Sequence, residues 1–121
     1  MVLVDTSVWV SHFRRKNNRL ENLLSQEFVH CHPLIIGELA CGHLHNRDEI
    51  LYLMHELPSV IQATDKDVLV FIEKNHLAAK GLGIVDIHLL ASASLSGLRI
   101  WTEDKRMDHI AHQLQLAFLL R

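Results

Sequence analysis

At 121 residues, with 49% hydrophobic and 21% charged side chains, the sequence supports one globular core and is too short for two. Its formal net charge of -2 argues against a broadly basic nucleic-acid-binding face. No apolar run reaches the ~20 residues that span a bilayer, and the composition is not that of a disordered chain, so a cytoplasmic protein with one domain over residues 1–121 is expected.

The start, MVLVDTSVW, lacks a basic stretch followed by a long apolar one and does not read as a signal peptide. Val2–Asp5 is a short apolar run ending in a charge, as expected of a buried strand that carries Asp5 at its carboxyl end. Thr6 and Ser7 are good helix initiators, and a first helix continues from Val8 to Phe13. Asn17–Asn18 breaks it, and Leu20, Leu23 and Leu24 mark the inner face of a second helix. Glu27–Cys31 reads as a strand, and Pro33 opens a helix that carries Glu38 and ends near Gly42. Arg47–Leu57 is amphipathic, with Ile50, Leu53, Met54 and Leu57 at helical spacing.

Val60–Ala63 is predicted as a short strand and Asp65–Ala79 as a helix capped by Thr64. Gly81 and Gly83 form a hinge, after which Asp86 falls in the first turn of an apolar helix reaching Ser96 and closed by Gly97. Leu98–Thr102 is a strand that delivers Glu103 and Asp104 into a loop; Met107–Gln113 is helical and Ala117–Leu120 is a last short strand. Helices alternating with short apolar strands imply an α/β fold, a parallel sheet covered on both faces, with its site beyond the strands' carboxyl ends. Cys31 and Cys41, in FVHCHP and ELACGH, are expected as two buried thiols of a reducing compartment rather than a disulfide.

Four acids, Asp5, Glu38, Asp86 and Asp104, stand in or beside apolar or aromatic stretches: MVLVDTSVWV, PLIIGELACG, GIVDIHLLASA and RIWTEDKRM. The first three stretches contain no lysine or arginine. A desolvated carboxylate costs several kcal/mol unless compensated, and acids gathered together repel unless a cation joins them. Hard oxygen donors at this density suit Mg2+, with Mn2+ as a substitute, rather than zinc. One or two such ions support in-line attack of water on a phosphodiester, with Glu38 or Asp104 orienting the water or taking its proton.

Each acid also has a plainer reading. Asp5 can cap a helix, Asp86 can sit at a helix N-terminus for its dipole, Asp104 can pair with Lys105 and Arg106, and Glu38 needs a buried partner, with His43 and His45 as candidates. Ser7 can serve as a cap or hydrogen-bond a metal-bound water.

In order and spacing, VDTSVWVSHFR, HPLIIGELACG, GIVDIHLLASASLSG and RIWTEDKRM resemble the PIN-domain family, and more closely the VapC toxins of bacterial VapBC toxin–antitoxin pairs, essentially end to end. The resemblance implies a three-layer α/β/α fold with a parallel sheet of about five strands. It implies a Mg2+-dependent endoribonuclease that cuts single-stranded or loop RNA, often tRNA or rRNA, and so inhibits translation until an antitoxin neutralises it. Asp5 and Asp86 match the direct metal ligands and Glu38 and Asp104 complete the acidic quartet; Asp108 is the candidate for a further acid or asparagine that some relatives carry shortly after the fourth position.

A homodimer is implied, as is a VapB-type antitoxin whose tail lies beside the acids, with the apolar faces of helices 7–13 and 33–57 as groove candidates. Arg14, Arg15 and Lys16, with Arg19, form the strong basic cluster and are read as contacts to RNA phosphates. Trp9 and Trp101 are candidates for base stacking but better packing residues.

Two other readings compete. A haloacid-dehalogenase-like phosphatase would place a second aspartate two positions after the nucleophile, where Asp5-Thr6-Ser7 has serine. A receiver-like signalling domain, with Thr102 and Lys105 as switch residues, wants an early adjacent acidic pair that this N-terminus lacks.

Overall fold

The computed structural model describes residues 1–120. Three parallel strands, β1 (Val2–Val4), β2 (Val29–His30) and β3 (Arg99–Trp101), lie in the order β2-β1-β3. Leu3 sits opposite His30 on one side and Ile100 on the other. Successive strand residues point to opposite faces, and Val2, Leu3 and Val4 are all 0% exposed, so the sheet is covered on both sides. The covering helices are α1 (Thr6–Arg14), α2 (Asn18–Ser25), α3 (Pro33–Cys41), α4 (Arg47–Glu56), α5 (Asp65–Asn75), α6 (Ile84–Ser96) and α7 (Lys105–Gln113). This is the expected α/β class.

The two outer strands of the expected five shrink to single bridges, Ser59 beside Cys31 and Ala117 beside Ile100, both parallel. After Val60 donates to the Cys31 carbonyl at 3.0 Å, the next amides are taken by α6 instead of a strand. Ile61 N–H goes to Ser96 Oγ at 2.8 Å and Ala63 N–H to Ser92 Oγ at 3.0 Å. Side-chain hydroxyls thus replace the ladder predicted for 60–63. On the other edge, Phe118 N–H reaches the Ile100 carbonyl at 2.9 Å, and β3 ends one residue later at Trp101.

Other boundaries move for local reasons. The helix expected to run to Ala79 stops at Asn75, because His76 takes a left-handed conformation (φ 54°). Leu77 N–H then closes onto the Ile72 carbonyl at 3.0 Å while its side chain enters the core at 4% exposure, the usual apolar contact behind such a stop. α7 begins two residues earlier than expected because Asp104 Oδ1 accepts from Met107 N–H at 2.9 Å. Strand β2 is shorter than 27–31, as Glu27 turns the chain at φ 59°.

Trp9 and Trp101 are buried: the indole of Trp9 donates to the Val4 carbonyl at 3.1 Å, and Trp101 lies 6.3 Å from Phe118. Both pack rather than offer faces to bases. Cys31 is buried and free, but Cys41 is exposed, against expectation, because α3 turns Ile35 and Leu39 inward.

Candidate functional site

The carboxyl ends of β1 and β3 bring the first and last acids together. Asp5 N–H donates to the Trp101 carbonyl at 2.9 Å, carrying the β1–β3 pairing one step past the strands. Asp5 is also the N-cap of α1, so the plainer reading of this residue is realised as well. Its Oδ2 accepts from Ser7 Oγ at 2.7 Å, Thr102 Oγ1 at 2.8 Å and, at the long distance of 3.4 Å, Ser7 N–H. Each hydroxyl has one hydrogen, and both point at Asp5, so the 3.3 Å approach of Ser7 Oγ to Thr102 Oγ1 adds no further bond. Those hydroxyls in turn accept from the loop after β3: Glu103 N–H meets Ser7 Oγ at 2.9 Å and Asp104 N–H meets Thr102 Oγ1 at 3.1 Å.

The result is one network from Asp5 to Asp104. It uses one oxygen of each carboxylate and leaves Asp5 Oδ1 and Asp104 Oδ2 without a hydrogen bond among the described residues. Asp104 does not pair with Lys105 or Arg106, the surface arrangement its sequence context allowed.

Glu38 joins through α1. Thr6 Oγ1 donates to Glu38 Oε1 at 2.6 Å, tying the first turn of α1 to α3. The expectation that Glu38 needs a buried partner is corrected: α3 turns Ile35 and Leu39 inward, and Glu38 lies exposed despite the apolar letters around it. It lines a cavity of about 630 Å³ with Arg14, His43 and His45.

Asp86 is in the first turn of α6, half-buried, and its carboxyl is raised above the ordinary 3.8. Burial is the main cause, followed by the negative charges of Asp5 and Asp104, and lastly that of Glu38; a hydrogen bond from the Gly83 backbone opposes them. Asp5, Asp104 and Glu38 thus each lie within electrostatic range of Asp86. Oxygen donors arranged in this way favour a hard divalent cation.

Among the described residues, no three His, Cys, Asp or Glu side chains are grouped so as to enclose an ion. Magnesium needs no such cage, since it keeps several waters and takes one or two protein carboxylates. The free Asp5 oxygen and the raised Asp86 carboxyl fit that mode of binding.

The basic cluster is only partly beside the acids. Arg14 lines the Glu38 cavity, whereas Lys16 is paired with Glu21 at 3.1 Å. Sequence reasoning passed over a second group of bases: Lys105, Arg106 and His109 line a cavity of about 550 Å³ together with Asp86 and Asp104. The available signal was the placement of Lys105 directly after Asp104 and of His109 one helical turn later. Asp108 instead turns to His112 at 3.4 Å.

Residues 2–113 match the sequence profile of the PIN domain. The chain belongs to the PIN-domain family. It is similar to proteins named Ribonuclease VapC32 in two strains of Mycobacterium tuberculosis, 44% identical over 108 residues, which covers 88% of this chain and 87% of each relative. The acidic quartet of this PIN domain lies inside the matched span. No described helix is long and apolar enough to cross a membrane.

Proposed function

We propose that the chain is a single-domain, VapC-type toxin: a Mg2+-dependent endoribonuclease that cuts single-stranded or loop regions of RNA such as tRNA or rRNA and thereby stops translation in the cytoplasm. One observation carries the proposal. Ser7 and Thr102 join Asp5 to the loop that carries Asp104, and Asp104 lines one cavity with Asp86, so oxygen donors gather where a cation would relieve the burial and like charge that raise the Asp86 carboxyl. The likeness to ribonucleases over most of the chain supports the choice of reaction.

In this reading Asp5 and Asp86 hold the ion, with Mn2+ able to replace Mg2+, and Glu38 and Asp104 complete the site. A bound divalent ion lowers the pKa of water and offsets charge on the leaving oxygen. The protein's own part is orientation. Ser7 and Thr102 fix one oxygen of Asp5 and leave the other without a hydrogen bond among the described residues. Asp104 Oδ2 and the exposed Glu38 have the freedom to align a water or receive its proton.

A VapB-type antitoxin is proposed to lie along α1 and α4, where Trp9, Phe13, Ile50, Leu53 and Leu57 line an apolar groove of about 420 Å³. Phe13 and Ile50 also line the Glu38 cavity, so a segment in that groove reaches one of the acids. A homodimer is proposed as well, and the exposed Ile61, Leu69, Val70 and Leu95 provide apolar surface for it.

The test is cleavage of total tRNA and rRNA by purified protein with Mg2+, with Mn2+, and with chelator, alongside Asp5→Asn. Cleavage that needs the metal and is lost in a folded Asp5→Asn is expected. Equal cleavage by Asp5→Asn, or cleavage in chelator, overturns the assignment.

A further inference from the structure

The cavity shared by Asp86 and Asp104 is also where Arg106 rests, packed against the backbone of Gly81. Gly81 adopts φ +79°, a conformation that favours glycine, and the Arg106 side chain lies directly against it. A Cβ on Gly81 would fall 2.8 Å from Arg106 Cδ and 2.9 Å from its Cζ. The missing side chain is therefore the seat of the arginine. Arg106 Nη1 donates to the Gly81 carbonyl across a long 3.3 Å, and neither Arg106 nor Lys105 forms an ion pair with an acid among the described residues.

A guanidinium carries five N–H donors in a planar fork suited to phosphate. This one spends a single donor on the backbone although two carboxylates line the same cavity. Those acids and the two bases Lys105 and Arg106 balance in charge; a divalent ion on the acids leaves the cavity with net positive charge, which suits a polyanion.

We propose that Arg106, seated on Gly81 and assisted by Lys105 and His109, forms a phosphate subsite that holds the RNA backbone beside the phosphodiester to be cut. The proposal rests on the ribonuclease reading and assigns Arg106 as a positioning residue, separate from the basic cluster at the end of α1.

Binding in chelator separates it from catalysis. A fluorescein-labelled mixed-sequence oligoribonucleotide is titrated with the full chain at several salt concentrations, and Arg106→Ala, Arg106→Gln and Gly81→Ala are compared after thermal melts confirm folding. Loss of one phosphate contact should reduce the slope of log affinity against log salt by about 0.7. It should weaken binding on the order of tenfold. Gly81→Ala keeps every charge but pushes the flexible guanidinium off its seat, so it should weaken binding, by less than Arg106→Gln does.

Parental slope and affinity in both Arg106 variants overturn the subsite, and normal binding by Gly81→Ala overturns the seat. If the parent cuts RNA with Mg2+ while the Arg106 variants bind unchanged, the subsite alone fails. A parent that binds with an Arg106-dependent slope but never cuts refutes the nuclease and leaves a phosphate site. A parent that binds no RNA refutes both.

Discussion

Replacing Thr102 by valine keeps the side chain's shape and removes one hydroxyl from the centre of the site. That hydroxyl donates to the Asp5 carboxylate at 2.8 Å and accepts Asp104 N–H at 3.1 Å. A hydrogen bond to a charged group contributes about 1.5–3 kcal/mol, and an amide left without a partner adds up to about 1 kcal/mol. Ser7 Oγ stays on the same Asp5 oxygen at 2.7 Å and limits the loss. A destabilisation of about 2 kcal/mol is therefore expected, a fall of roughly 6–10 °C in melting temperature for a chain of this size. Because both acids lose an orienting contact, RNA cleavage should fall about 10–100-fold, the usual effect of removing a group that orients a metal ligand. Thr102→Ser restores the hydroxyl and should recover most of both. Differential scanning calorimetry and single-turnover cleavage measure the two effects. A valine variant that melts within about 2 °C of the parent and cuts at the parental rate refutes the network's role.

Asp86→Asn should abolish cleavage yet raise stability in chelator at neutral pH. The folded carboxyl is raised above 3.8, so the native state holds its proton longer than the unfolded chain. Stability is then unaffected below the ordinary value, falls as pH rises through the raised one, and stays reduced above it. Urea melts across the acid range should show that decline in the parent and its absence in the variant. Mg2+ should raise the melting temperature of the parent, and raise it less in Asp5→Asn and Asp86→Asn, by mass action on the folded state alone; equal shifts in all three would show that the ion binds elsewhere.

His32 gives the opposite slope. Burial, and then the neighbouring His88, lower it from 6.5 to about 4, so the stability owed to its neutral ring is complete above 6.5 and lost as pH falls toward 4. Its Nδ1 accepts Leu34 N–H at 3.0 Å, and His32→Ala should lower stability by about 0.5–2 kcal/mol at neutral pH, as read by urea melts. Native maleimide labelling with mass readout should modify one thiol per chain. Cys41 is exposed, while burial pushes the Cys31 thiol up to about 11, and only unfolding should add the second label.

Much of this was written locally in the sequence. Apolar runs ending in a charge gave β1 and Asp5, and Gly97 and Pro33 marked real helix ends. What failed depended on distant partners. The strand over 60–63 looked sound by composition, but α6 supplies Ser92 and Ser96 to take its amides. Glu38 looked buried because its neighbours in sequence are apolar, while helical geometry turns it outward with Thr6 as its contact. The seat of Arg106 was hidden for the same reason: Gly81 reads as a hinge until the side chain of a residue 25 positions later is placed against it.

Such long-range ties also explain how a site can rest on so small a sheet. Among the described residues three strands form it, with a single bridge at either edge. Backbone pairing at the strands' carboxyl ends stops at Asp5 N–H, and side-chain hydroxyls continue the work: Ser7 and Thr102 carry position from β1 to the loop before α7, and Thr6 carries it to α3. Each of these hydroxyls donates to an acid of the site and so fixes the carboxylate oxygen it touches. Asp86 has no hydroxyl donor among the described residues and is the acid whose carboxyl is raised. Burial and the charges of the other acids both bear on Asp86, so an ion beside it should contribute to stability. Within the site, Asp86→Asn should stabilise the metal-free protein most, and Thr102→Val should destabilise it.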